Sequence, residues 1–291
     1  MEQKEIVYTV IVTYNGMKWI NKCLSTLRLS TVSTTIVVVD NGSNDGTCDF
    51  ILTNFPEVVL MPQNKNLGFG QANNIGMLYA MEQGANHVLL LNQDAYLQPE
   101  AIEMMLKVAD GKNIVTPVHL CGDGNRIDSM FRLSLRRADN ELFDDLLIKG
   151  QPEPSYSIGE VCAACWFMPS SLIKEVGGFN PLFFQYGEDN NYYTRMVFHG
   201  RGIILASMAR VWHDRKVHGN EALFTQKEIF LNVLITACNP NLSIVAKVKK
   251  FALLFANRPL LTIKGLLKAL RLYPKIVQSL KQEVQKTDSW L

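Results

Sequence analysis

The chain has 291 residues, 47% of them hydrophobic and 19% charged. That is long enough to bury a full core without disulfides or metal staples, and the composition excludes a disordered chain. The formal charge of +2 hides an asymmetry: the 52 residues from Pro240 onward hold ten Lys or Arg against two acids, a net +8, leaving −6 on the first 239. An acidic main body argues against a dedicated nucleic-acid binder, so no nucleic acid is expected among the partners. The six cysteines are scattered, and Cys162 with Cys165 is a single Cys-x-x-Cys lacking a second pair to complete a zinc site, which predicts free thiols in a reducing compartment. The charged start, Met1 to Glu5, runs straight into a strand-like segment, so no signal peptide is expected, and no apolar run approaches the ~18 residues of a spanning helix.

Residues 7–13 are β-branched and predict a strand. Residues 17–29 then repeat apolar positions at helical spacing through Trp19, Ile20, Cys23, Leu24 and Leu27. A buried-strand run at 35–39 ends in Asp40-Asn41-Gly42-Ser43, followed by a short helix through Cys48, Ile51 and Leu52 and a strand at 58–61. Residues 68–83 have helical spacing, 87–91 form a fourth strand, and Pro99 opens a helix with Glu100 and Glu103 in its first turn, before a strand at 114–116. Strands alternating with helices predict a parallel sheet covered on both faces, with ligands beyond the carboxyl ends of the strands. That rule gathers Tyr14, Asp40 to Ser43, Asn64 to Gly68 and Asn92 to Asp94 around one crevice.

The second half is less regular. Residues 121–157, polar and acid-rich around Asn140 to Asp145, read as surface loop. A strand at 161–168 precedes a short helix with Ser170 as candidate cap; 189–199 reads as helix, 202–205 as strand, and Glu221 onward as helices.

Several motifs carry chemistry. Gly68-Phe69-Gly70-Gln71-Ala72-Asn73 begins like a dinucleotide fingerprint but lacks the third glycine and follows the third strand; its glycines serve a tight turn or a ligand contact. No Gly-x-x-x-x-Gly-Lys-Ser/Thr occurs, which argues against an ATPase. Asp94, in Asn92-Gln93-Asp94, can cap a loop or hold a divalent cation that bridges phosphates. Glu188-Asp189 follows the aromatic run Phe183-Phe184-Gln185-Tyr186-Gly187; the acids complement a helix N-terminus or supply a general base. His213 is structural or a ligand, His218 solvent-facing, and Cys162 and Cys165 pack as small apolar groups.

Together, Val10-Ile-Val-Thr-Tyr-Asn15, Val37-Val-Val-Asp-Asn-Gly-Ser-Asn-Asp-Gly-Thr47, Asn66-Leu-Gly-Phe-Gly-Gln-Ala-Asn-Asn-Ile-Gly76, Leu90-Leu-Asn-Gln-Asp-Ala95 and Gly177-Gly-Phe-Asn-Pro-Leu-Phe-Phe-Gln-Tyr-Gly-Glu-Asp189 resemble family 2 glycosyltransferases, in family order. The rhamnosyltransferase and galactofuranosyltransferase-like branch is the nearest pattern. The resemblance implies an α/β GT-A fold, a mostly parallel Rossmann-like sheet flanked by helices. Residues 1–118 would form the nucleotide-sugar-binding half, 119–239 the acceptor-binding and catalytic-base half of the same domain, and 240–291 a basic helical extension. It assigns donor contacts to Thr13, Tyr14, Asn15, Asp40, Asn41, Asn66, Gly68, Asn73, Asn74, Asn92 and Gln93. Mg2+ or Mn2+ would be held by Asp94 and His213. Asp189, with Glu188 beside it, would be the base, and Trp166 and Tyr186 would meet the acceptor. Asn92 departs from the family's Asp-x-Asp motif and leaves one carboxylate fewer for the metal.

The implied activity is inverting, metal-dependent transfer of rhamnose from dTDP-rhamnose to a glycan or lipid-linked acceptor in surface polysaccharide synthesis. A UDP-galactofuranose or other UDP-hexose transferase and a non-catalytic nucleotide-sugar-binding module are the alternatives. The chain is expected in the cytoplasm, peripheral at the inner face of the membrane. In the tail, Val245, Val248, Phe251, Ala252, Phe255, Leu260, Leu261 and Leu267 interleave with the ten basic residues. Such helices pack on the body with a solvated basic face, or lie on an anionic membrane surface.

Overall fold

The computed structural model describes residues 5–137, 141–215 and 221–284. Strands β1 (Val7–Thr13), β2 (Thr34–Asp40), β3 (Val59–Pro62) and β4 (His87–Asn92) alternate with helices α1 (Ile20–Arg28), α2 (Thr47–Asn54) and α3 (Phe69–Glu82). The four strands pair in parallel in the order β3-β2-β1-β4. Their continuous apolar runs follow from burial on both faces. Val10, Val37, Val39, Val88 and Leu90 join α3 residues Ala72, Met77 and Ala80 in one core. Val7, Ile11, Ile36, Val38, Leu89 and Leu91 join α1 residues Ile20, Cys23, Leu24 and Leu27 in the other. The period-two alternation therefore sets α1 and α3 on opposite faces. Helix α3 lies directly on β1, since a Cβ at Gly76 would fall 2.4 Å from a Val10 methyl.

The chain continues through β5 (Ala95–Leu97), α4 (Ala101–Val108), β6 (Ile114–Cys121), α5 (Ser129–Arg137) and α6 (Leu142–Asp144), which runs into a π-helical turn at Asp145–Lys149. Then come β7 (Ser155–Ile158), β8 (Cys165–Pro169), α7 (Ser170–Val176), α8 (Glu188–Phe198) and β9 (Ile203–His213). The sheet extends past β4 as β8-β6-β9-β5, with β7 also on β9. Here the pairing is mixed: β8 is antiparallel to both β4 and β6, β6 is parallel to β9, and β5 and β7 are antiparallel to β9. The uninterrupted parallel run is thus confined to β1 through β4, with β6 and β9 a further parallel pair, and β6 runs across residue 118 between the two expected halves.

Two readings of the sequence are corrected. Residues 121–157 are no plain loop: α5 buries Phe131 and Leu135, four residues apart, and β7 buries Tyr156 and Ile158, two apart, in the core shared with α3. Each element has few apolar residues among many polar ones, which hid the periodicity. Ser170 does not cap α7, which starts from Pro169; its hydroxyl donates to the Ala85 carbonyl oxygen.

Four helices follow: α9 (Glu221–Ala237), α10 (Ile244–Asn257), α11 (Pro259–Arg271) and α12 (Tyr273–Val284). Ser243 caps α10 by accepting from the Ala246 amide at 3.2 Å, and Pro259 starts α11 where a missing N–H costs nothing. Val233, Leu234, Cys238, Ala269 and Ile276 form a third core with Phe183 from the loop before α8. No helix among the described residues is long and apolar enough to cross a membrane. The described cysteines are free.

Candidate active site

The parallel register brings the ends of β1, β2 and β4 level, with Thr13 opposite Asp40 and Val12 opposite Asn92. Gln93 ties these ends together: its Oε1 accepts from the Thr13 hydroxyl at 2.6 Å and the Tyr14 amide at 3.1 Å. Asn15, at φ +49°, donates its amide to Ser43 Oγ (2.8 Å) and accepts from the Asn44 amide on Oδ1 (3.0 Å). Tyr14 is 47% exposed and free to meet a ligand.

Deeper residues expected to touch the donor instead build the frame of its pocket. Buried Asp40 accepts from the Gly42 and Ser43 amides and the Ser43 hydroxyl. Buried Asn41 accepts from the Leu67 amide and donates to the Gly68 carbonyl, both at 3.2 Å, while Asn66 accepts from the Gly68 amide at 2.8 Å. Asn73 donates to the Phe69 carbonyl at 3.0 Å. Asn74 holds both backbone groups of Phe179, donating to its oxygen at 2.8 Å and accepting from its N–H at 2.7 Å. Nδ2 of Asn73 and both amide atoms of Asn74 are thus engaged by backbone, and both residues are buried. Gly68 is required sterically: at φ +84° a Cβ would lie 2.0 Å from the Phe184 carbonyl oxygen.

The other wall depends on antiparallel pairing of β5 with β9, which sets Ala95 opposite His213. Asp94 Oδ1 thereby lies 3.4 Å from His213 Nε2, although 119 positions separate them in the chain. Asn92 Nδ2 also stands 3.4 Å from that nitrogen, and its Oδ1 is buried without a partner. Arg215 Nη2 reaches His213 Nδ1 at 3.1 Å and Cys162 Sγ at 3.4 Å, while its Nε pairs with Asp128 Oδ2 at 3.0 Å. A guanidinium only donates, so Nδ1 accepts from Arg215, and Nε2 faces Asp94 and Asn92. Ligand atoms of His119, Cys162 and His213 lie within 4.8 Å of one another, but Arg215 sits against two of these residues and repels a cation there. A divalent cation fits the opposite side. The Asp94 carboxylate, the orphaned Asn92 carbonyl and His213 Nε2, once Arg215 releases Nδ1, are the hard oxygen and nitrogen donors that Mg2+ or Mn2+ accepts.

The third wall is the start of α8. Gly187 at φ +87° and Tyr186 at φ +72° turn the chain so that Glu188 and Asp189 fill the first helical turn, where the dipole favours anions. Burial, then the neighbouring Asp189 charge, pushes the Glu188 carboxyl up to about 8, and its Oε2 is buried without a partner. Burial also raises Asp189, opposed by the Asn190 and Ala163 backbone amides and by the positive charge of Arg215. The raised Glu188 carboxyl keeps its proton at neutral pH, while the backbone amides and the Arg215 charge favour the ionised form of Asp189. Tyr186 is partly exposed, its ring 4.4 Å from the Lys227 ammonium. Trp166 is corrected. It is 0% exposed on β8, with its ring 6.1 Å from Phe179 and 5.8 Å from Tyr192, so it backs the site and cannot touch an acceptor.

Sequence reading missed Arg215, Asp128 and the polar role of Cys162. The one available signal was Arg215 standing two residues after His213. Cys165 packs in the core as expected. His218 lies outside the described residues.

An open α/β sheet with a carboxylate at the end of β4, an acid at the start of α8 and a histidine at the end of β9 defines a GT-A glycosyltransferase. Among solved structures, Staphylococcus aureus TarS 1–349 in complex with UDP aligns at a TM-score of 0.57 and 14% identity, over 86% of this chain and 69% of that one. GalNAc-T7 with UDP, GalNAc and Mn2+ aligns at 0.58 and 14%, over 82% and 51%. The model of glycosyl transferase family 2 matches residues 8–177, and the chain belongs to that family. Two of the relatives the chain resembles are rhamnosyltransferases. It is 27% identical to N-acetylglucosaminyl-diphospho-decaprenol L-rhamnosyltransferase of Mycobacterium tuberculosis over 235 residues, 72% of this chain and 76% of the relative. It is also 33% identical to dTDP-rhamnosyl transferase RfbF of Shigella flexneri over 120 residues, 40% of each chain.

Proposed function

We propose that this glycosyltransferase moves rhamnose from dTDP-rhamnose to a glycan or lipid-linked acceptor, with inversion, in surface polysaccharide synthesis at the cytoplasmic face of a membrane. The observation that carries the reading is the convergence of Asp94, His213 and Arg215, with Asp189 close enough to be influenced by the Arg215 charge. The rhamnosyltransferase relatives support the sugar. UDP in the solved TarS and GalNAc-T7 complexes favours a UDP-sugar as the second reading. We take residues 1–118 as the donor half, 119–239 as the acceptor half and 240–291 as an extension.

Breaking a sugar–phosphate bond leaves positive charge at the anomeric carbon and negative charge on the departing diphosphate. Mg2+ or Mn2+, held by Asp94 and His213 when bound, supplies Lewis-acid stabilisation of that leaving group. Arg215, paired with Asp128, adds a further positive charge beside it. Tyr14 and the Asn41–Ser43 turn border the nucleotide, with Asn41 and Asn74 holding the pocket's loops. Asp189 takes the proton of the incoming hydroxyl, a general-base contribution of roughly 10²–10⁴-fold. Glu188, protonated beside it, keeps the pair to one negative charge, and Tyr186 forms the acceptor wall. Direct displacement on the face opposite the diphosphate inverts the anomeric centre.

The test is a thermal-shift panel of dTDP, UDP and GDP and their sugars with and without Mn2+, followed by transfer assays of Asp189→Asn. A metal-dependent shift with one nucleotide class names the donor. Asp189→Asn should lose transfer and keep donor binding, whereas near-normal turnover by this variant refutes the base assignment.

A further inference from the structure

We propose that the outer face of α10 and α11 docks the protein on an anionic lipid surface. Helix α11 carries two apolar stripes, of which the fold uses one, and α10 leaves most of its apolar residues in solvent. On α11, Thr262, Gly265 and Ala269 are buried, the site of Gly265 lying 3.5 Å from a Val233 methyl on α9. Leu260 (74% exposed), Ile263, Leu267 and Leu270 recur at i, i+3, i+7 and i+10 on a different side of the helix, and all four are exposed. On α10, Phe251 and Leu254 turn to the third core, while Ile244 (81% exposed), Val245, Val248 and Phe255 stay in solvent. With Leu253, these two adjoining helices expose nine large aliphatic or aromatic side chains, a concentration that marks an interaction surface.

Charge selects the occupant. No acid occurs between Pro240 and Leu280. Lys249, Lys250, Lys264, Lys268, Arg271 and Lys275 are exposed, and none of them makes an ion pair among the described residues. A second copy of this chain would bring like charges together around the apolar stripes. An anionic bilayer neutralises them and takes up the aliphatic side chains. The same helical unit reaches the active site, because Phe183 joins its core five residues before Glu188 and Lys227 of α9 stands over the Tyr186 ring.

The full-length protein is sedimented with vesicles of phosphatidylcholine alone, or with 30% phosphatidylglycerol, without donor or acceptor, so the outcome is independent of glycosyl transfer. Binding is expected to the anionic vesicles only, and to be lost at 0.5 M salt. At about fivefold per charge, K264E/R271E should weaken it by about 25-fold or more. L260Q/L267Q should weaken it at least tenfold, with melting temperatures of both variants unchanged because all four residues are exposed. Failure of the wild type to bind, equal binding to neutral vesicles, or wild-type binding by both variants overturns the proposal. A dimer abolished by L260Q/L267Q in the absence of vesicle binding overturns it too and assigns the surface to a second copy. Absence of vesicle binding by the wild type, with its nucleotide-dependent thermal shift intact, rejects the docking surface and leaves the donor site standing.

Discussion

Replacing Asn74 with alanine separates a frame residue from a ligand contact. Its Nδ2 donates to the Phe179 carbonyl at 2.8 Å and its Oδ1 accepts from the Phe179 amide at 2.7 Å, both buried and 105 positions apart in the chain. Alanine leaves two buried backbone groups without partners, at about 1–3 kcal/mol each, so the variant should lose about 2–6 kcal/mol. That is a large part of the 5–15 kcal/mol typical of a domain. Asn74→Asp keeps the acceptor and loses the donor, and should fall between the two. Urea unfolding measures the loss directly, provided the m-value is unchanged. Donor affinity, measured at low temperature where the variant is folded, should change less than stability. A loss below 1 kcal/mol together with a collapse of nucleotide binding would refute the frame role and return Asn74 to the donor pocket.

Glu188→Gln should change how stability depends on pH. Burial pushes the folded carboxyl up to about 8 from an ordinary 4.5, so in the wild type the native state binds more protons than the unfolded chain between these values and stability falls as pH rises through that window. The variant should show a flatter melting-temperature profile from pH 5 to 8, and an unchanged slope would contradict the raised carboxyl. Asp94→Asn should abolish the Mn2+-dependent part of the nucleotide thermal shift and keep the metal-free part; an unaltered Mn2+ response would place the cation elsewhere.

Much of the donor half was legible because its signals are local. Strands β1, β2 and β4 are buried on both faces and so read as unbroken apolar runs; Ile20, Cys23, Leu24 and Leu27 mark one helical face of α1. Asp94 and Asp189 could be singled out because each ends or begins an element whose boundary the sequence marks. Glu188 and Asp189 were also read as a pair, but their difference in protonation depends on burial and on Arg215, which arrives from the far end of β9.

The sequence by itself determined which residues alternate, which face a helix hides, and which polar groups stand at strand ends. Only the tertiary structure decided their partners. Trp166 has the composition of a sugar-binding aromatic, yet antiparallel pairing of β8 with β4 sets it opposite Leu90 in the core. Asn73 and Asn74 stand side by side near the donor loop, but one amide serves its own helix and the other a loop 105 residues away. The Asp94–His213 approach exists because β5 and β9 run antiparallel in one register, and a two-residue slip would carry the imidazole about 7 Å away. Periodicity fixes a side chain's direction within its own element, whereas distance to a remote group is set by how whole elements pair and pack, which no local pattern encodes.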